Sequence, residues 1–161
     1  MVYRIKEKFW SFGDDFAIKD QYGNDCFYVK GKVFSWGDNL SFQDKNRNEI
    51  AVIKQKLFTL LPKYQVFIDG QLYAEILKEW SWFKKKFTLD VPGPNDYTIE
   101  GSFWGHEFSF IRNNREVATI SKKLFAWRDS YSVDIKEDEN HAEILITCIV
   151  IDQILHDGRS S

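Results

Sequence analysis

Three histidines, His106, His141 and His156, show neither an H-x-H nor an H-E-x-x-H spacing, so they do not supply the paired helical ligands of a catalytic zinc. His106 precedes Glu107 but sits between Trp104 and Phe108, where it reads as a strand histidine. A serine nucleophile needs a sharp glycine-flanked elbow, and no G-x-S-x-G occurs; Walker and dinucleotide glycine fingerprints are absent as well. Asp14-Asp15 follow Gly13, and Trp36-Gly37-Asp38-Asn39 echoes that arrangement, which makes the pair repeated turn chemistry rather than an acid/base couple. Asp134, Glu137, Asp138 and Glu139 lack the spacing of a calcium loop and read as a solvated approach to a helix. The expectation is a protein that is not an enzyme, with no catalytic residues, no metal and no cofactor.

Lysine is the more pointed signal. Lys6 and Lys8, Lys30 and Lys32, and Lys54 and Lys56 recur as Lys-x-Lys pairs, followed by Lys78 and by Lys122-Lys123. At a period of two, both members of a pair project from one face of a strand. The densest group is Lys84-Lys85-Lys86, just after Trp80 and Trp82, and lysine beside exposed aromatic rings is the composition of an interfacial membrane contact. The candidate anion or lipid site is therefore Lys84, Lys85, Lys86, Trp80 and Trp82, supported by Lys54 and Lys56 if the fold brings them near. The same residues also read as a solubilising outer face with packed tryptophans, since lysine stems readily cover apolar surface.

The elements that must position these residues follow from an internal repeat. Segments starting at Phe16, Leu40, Tyr64, Phe87, Phe108 and Tyr131 are spaced by 24, 24, 23, 21 and 23 residues, and each holds an alternating run, a polar turn and a second run. Asp20 to Asn24, Asp44 to Asn48, Asp69-Gly70 and Asn113-Asn114 carry the side chains that tolerate left-handed backbone in tight hairpins. With the run from Tyr3 to Phe9, the pattern predicts twelve strands over about residues 2–136, in an up-and-down series that closes into an antiparallel barrel.

Twelve strands enclose more space than their own side chains fill. Small residues recur in Ala51-x-Ile53, Ala74-x-Ile76 and Ala118-x-Ile120, leaving room for a central object. The candidate is the apolar stretch of about residues 141–156. Its β-branched residues favour a strand by propensity, but a segment apolar all round suits an enclosed helix. Ile144 to Leu155 spans 12 residues and includes Asp152, short of the roughly 20 that cross a bilayer, so no transmembrane span is expected.

At 161 residues the chain reads as one domain, 1–161, mainly β and unusually aromatic (17%). Net charge is −2 and the pI about 5.9, which disfavours nucleic acid as a partner. The balance is uneven: residues 1–130 hold 20 Lys/Arg against 17 Asp/Glu, whereas residues 131–161 hold 2 against 7. Cys26 and Cys148 form no multi-cysteine framework; free thiols are the simpler reading and a single disulfide the other. Met1 to Lys8 lacks a secretory apolar core, giving a cytoplasmic expectation.

The segments IKEKFWSFGDDFAIKDQYGNDCFYVKGKVFSWGDNLSFQD (5–44), LDVPGPNDYTIEG (89–101), EVATISKKLFAWRDSYSVDI (116–135) and the apolar tail ending near Leu155 carry a likeness over nearly the whole chain. In them the chain resembles the LURP-one-related family of the Tubby C-terminal-like superfamily, which includes phospholipid scramblases. It implies a closed twelve-stranded barrel around a buried hydrophobic C-terminal helix, in agreement with the repeat. Similar members generally lack an established activity. The basic headgroup site of Tubby proteins and the cysteine-rich and calcium-binding segments of scramblases do not carry over residue by residue. The expected function is a non-enzymatic barrel, cytoplasmic and peripheral at the membrane, that binds anionic phospholipid headgroups; the alternative is a protein–protein adaptor or stress-response scaffold without lipid affinity.

Overall fold

Alternation along each repeat buries one side of every strand, and the hairpin turns between them leave a continuous wall as the only way to cover that side. The computed structural model describes residues 1–6, 15–31, 39–56, 59–60, 63–79, 85–90, 96–102, 107–121 and 130–157. The strands are β1 (Val2–Lys6), β2 (Phe16–Asp20), β3 (Asp25–Gly31), β4 (Asn39–Asp44), β5 (Glu49–Lys56), β6 (Lys63–Ile68), β7 (Gln71–Glu79), β8 (Lys85–Asp90), β9 (Tyr97–Ser102), β10 (Glu107–Arg112), β11 (Arg115–Ser121) and β12 (Ser130–Ile135), followed by the helix α1 (His141–Asp157). Each strand pairs antiparallel with its sequence neighbours, and β1 closes the ring on β12, from Val2↔Asp134 to Lys6↔Ser130. The expected twelve-stranded closed barrel with one C-terminal helix is what forms.

The 24-residue period extends to individual hydrogen bonds. Asp20 Oδ1 accepts from the Tyr22 and Asn24 backbone N–H groups and its Oδ2 from Asn24 Nδ2; Asp44 does the same with Asn46 and Asn48. The third turn residue is left-handed in both, Gly23 at φ 90° and Arg47 at φ 68°. Asp69-Gly70 and Asn113-Asn114 are two-residue turns with both φ angles positive, the geometry that matches strand twist.

Beside four of these turns the register slips. Between Val66↔Ala74 and Phe67↔Leu72, Tyr73 has no partner; Cys26, Ile50 and Val117 occupy the equivalent places in the other three hairpins. Each is a bulge of one extra residue, which adds local twist and re-aims a side chain. Consecutive Val117 and Ala118 are both buried as a result.

Inside the wall, Ile5, Ile18, Phe42, Ile53, Ile76, Ile99, Phe110 and Val133 are fully enclosed, and so are Ile144, Leu145, Ile149 and Val150 of the helix. The helix forms despite its β-branched residues because its apolar side chains join the buried core of the wall, and burial outweighs the small propensity difference. Asn140 caps it, its Oδ1 accepting the Glu143 N–H at 3.2 Å. No helix among the described residues is long and apolar enough to cross a membrane. Cys26 and Cys148 are both free.

Candidate functional site

The up-and-down topology gives the barrel two unlike ends. One carries the hairpin turns and the helix N-terminus. At the other, β1, β3, β5 and β7 all finish, and there Lys6, Lys30, Lys54 and Lys56 are exposed. Lys54 Nζ lies 4.7 Å from the centre of the Phe67 ring, a cation–π contact that also steadies its stem. Lys63, at the start of β6, is ion-paired with Glu75.

Of the other candidate residues, Lys85 and Lys86 open β8 at this same end, while Trp80, Trp82 and Lys84 lie outside the described residues. Lys85 and Lys86 are adjacent in the strand and so have opposite parity. Lys86 is in register with Glu79 on one side and Glu100 on the other, so acids flank it in the sheet. Strands β6 and β7 separate β5 from β8, about 14 Å around the wall at the usual strand spacing. That exceeds a Debye length of about 8 Å, and Lys54 and Lys56 therefore share an end with Lys85 and Lys86 without forming one patch.

At the turn end, three tyrosines from three strands reach the start of the helix. Tyr3 Oη lies 2.9 Å from His141 Nδ1, and His141 Nε2 lies 3.1 Å from the Lys136 carbonyl oxygen; this pairing assigns the ring proton to Nε2. Tyr73 Oη donates to Glu143 Oε2 at 2.9 Å, and Tyr97 Oη donates to Glu139 Oε2 at 3.1 Å. Arg112 completes the group, bonded to Glu139 at 2.8 Å and to Tyr97 at 3.3 Å. Glu139 is only 8% exposed. The expectation that the acidic run is wholly solvated is thus corrected at this residue: Arg112 and Tyr97 compensate its charge, while Asp138 stays exposed and pairs with Arg115.

Burial raises the Glu143 carboxyl above its ordinary value of 4.5, against the lowering effect of the Tyr73 hydrogen bond and of Arg112. Burial likewise pushes the Tyr3 phenol up to about 12. Beside Glu143 a cavity of about 330 Å³ opens between the helix and β5, β6 and β7. Ala51, Ala74, Leu89 and Ile146 form part of its apolar wall; Glu49, Asp69, Tyr73 and Glu143 are among its polar groups.

The LURP-one-related family profile matches residues 1–152. The chain belongs to the LURP-one-related family. A Bacillus subtilis (strain 168) relative named uncharacterized protein YxjI is 34% identical over 152 residues, covering 94% of this chain and 92% of that one. An X-ray structure of an Arabidopsis thaliana protein superposes with a TM-score of 0.69 at 18% identity, over 96% of this chain and 90% of that one. The second likeness is one of fold.

In this LURP-one-related chain, the sequence points to the lysines and to the alanines that make internal room, but not to Tyr73 or Glu143, and it places Glu139 in a solvated run. The alanines carried part of the signal, since Ala51 and Ala74 line the cavity. The missing part is the bulge: a strict period of two assigns Tyr73 and Ala74 to opposite faces, whereas the extra residue turns the Tyr73 hydroxyl to the helix.

Proposed function

We propose that this LURP-one-related chain is a non-enzymatic barrel that binds anionic lipid headgroups through the lysine rim at the end opposite its hairpin turns, acting peripherally at the cytoplasmic face of a membrane. The observation that carries the reading is a shared end: Lys6, Lys30, Lys54 and Lys56 come from three successive odd-numbered strands and are all exposed at one end of the barrel, spaced around its rim. Lys85 and Lys86 open β8 at the same end, and Lys84, Trp80 and Trp82 precede them in sequence as a second basic and aromatic group. Each lysine near an anionic surface contributes about 1 kcal/mol, so binding is weak, additive and salt-sensitive.

Flotation with neutral and phosphatidylserine-containing vesicles at two salt concentrations tests this. Binding to the anionic vesicles alone, reduced by salt, is expected. Lys54→Ser/Lys56→Ser should weaken it by at most about thirtyfold, the equivalent of roughly 2 kcal/mol, and adding Lys84→Ser/Lys85→Ser/Lys86→Ser should weaken it further. No flotation of the natural protein with anionic vesicles would reject the lipid reading in favour of the adaptor or scaffold.

A further inference from the structure

The cavity at the turn end lies at the opposite end of the barrel from the lysine rim, and its chemistry is opposite in sign. Among its described lining residues every charged group is a carboxylate: Glu49, Asp69 and Glu143. Glu143 is the buried member, 8% exposed. Its Oε2 receives the Tyr73 hydroxyl at 2.9 Å and Asn140 Nδ2 at 3.4 Å, while its Oε1 takes no hydrogen bond from any described residue. One oxygen therefore remains as an acceptor beside the recess. The nearby cation, Arg112, is committed to Glu139 and Tyr97.

An anion would enter this recess against the carboxylates of Asp69 and Glu143, with that of Glu49 bonded to the Ser41 hydroxyl, and find no lysine or arginine in its described lining. A metal ion is equally ill served, since no group of three His, Cys, Asp or Glu among the described residues converges closely enough to hold one. What fits is a diffuse cation with an apolar body. The ammonium would meet Glu143 Oε1 and the Tyr73 ring, and the body would lie along Ala51, Ala74 and Ile146. A volume of about 330 Å³ suits a small molecule. We propose that this cavity is a binding site for a small organic ammonium ion with a short apolar tail.

The test is a titration of the full chain with hexylammonium, 1-hexanol and hexanoate at mildly alkaline pH, followed by backbone amide NMR. Saturable shifts centred on Ala142, Glu143 and Ile146 are expected with hexylammonium, and none of comparable affinity with the alcohol or the carboxylate. Glu143→Gln removes the charge while retaining an amide that can serve the same helix cap, and should weaken hexylammonium binding by about tenfold or more. Ala74→Leu fills the recess and should abolish binding. Should Glu143→Gln fail to fold, Asp69→Asn at the exposed rim takes its place, with a severalfold loss expected. Hexanol or hexanoate binding as tightly as hexylammonium, no saturable shift with hexylammonium, or unchanged hexylammonium affinity in the folded charge variant would each overturn the proposal.

Discussion

Glu143 and the turn aspartates respond to pH with opposite signs. Hydrogen bonds from Asn24 and Asn48 hold Asp20 and Asp44 below their ordinary value of 3.8, so their contribution to stability is present above that value and lost as pH falls through the folded one. Glu143 is raised above 4.5 by burial, so its ionisation costs stability: the cost is absent at low pH and complete once pH exceeds its folded value. Urea unfolding across pH should therefore show Asp20→Asn/Asp44→Asn flattening the acid limb. Glu143→Gln should be more stable than the natural protein at neutral pH and equal to it in acid. Gln153 is 1% exposed, and neither of its amide atoms is hydrogen-bonded to a described residue. Gln153→Met removes a buried unsatisfied amide and should raise stability by about 1–3 kcal/mol in urea titrations. Cys148, 1% exposed with its thiol pushed well above 9 by burial, should react with a thiol reagent only as fast as the barrel opens.

At the level of elements, hairpins and helix were legible for different reasons. Asp69-Gly70 and Asn113-Asn114 announce their turns through residue types that accept positive φ, a local property. The helix is non-local: Ile144 to Val150 favour a strand by propensity, and only the need to fill a twelve-stranded ring makes them helical. Bulges at Cys26, Ile50, Tyr73 and Val117 were hidden because one inserted residue leaves no compositional mark. The candidate cavity was hidden with them, as Ile50 and Tyr73 both line it. Ile149→Lys, placing a lone charge at a fully enclosed helix position, should cost several kcal/mol and abolish cooperative thermal unfolding. Gly101 is constrained by its neighbours on β10, since a Cβ there would clash with the edge of the Phe108 ring and with the Glu107 carbonyl oxygen. Gly101→Ala should destabilise by about 1–3 kcal/mol through overpacking, read as a lowered urea midpoint.

For the whole molecule, the separation of exposed lysines at one end from turns and helix N-terminus at the other predicts an orientation. A polarity-sensitive probe at Lys56→Cys, carried on a Cys26→Ser background, should brighten and shift to the blue when anionic vesicles are added, while the same probe at Tyr22→Cys, an 81% exposed turn position, should stay in water. Equal brightening at the two sites would contradict a rim-first approach. The seam between β1 and β12 has a further consequence, for how the barrel is made. Their pairing joins residues more than a hundred positions apart, Tyr3 with Val133 and Ile5 with Tyr131. Such contacts form only after a large loss of chain entropy, which slows folding. Until the seam shuts, the incomplete sheet has two unpaired edges, and the apolar helix that follows β12 in the chain lacks its enclosure. Closure thus competes with edge-to-edge association between chains, so refolding yield should fall steeply with protein concentration even where the folded barrel is stable.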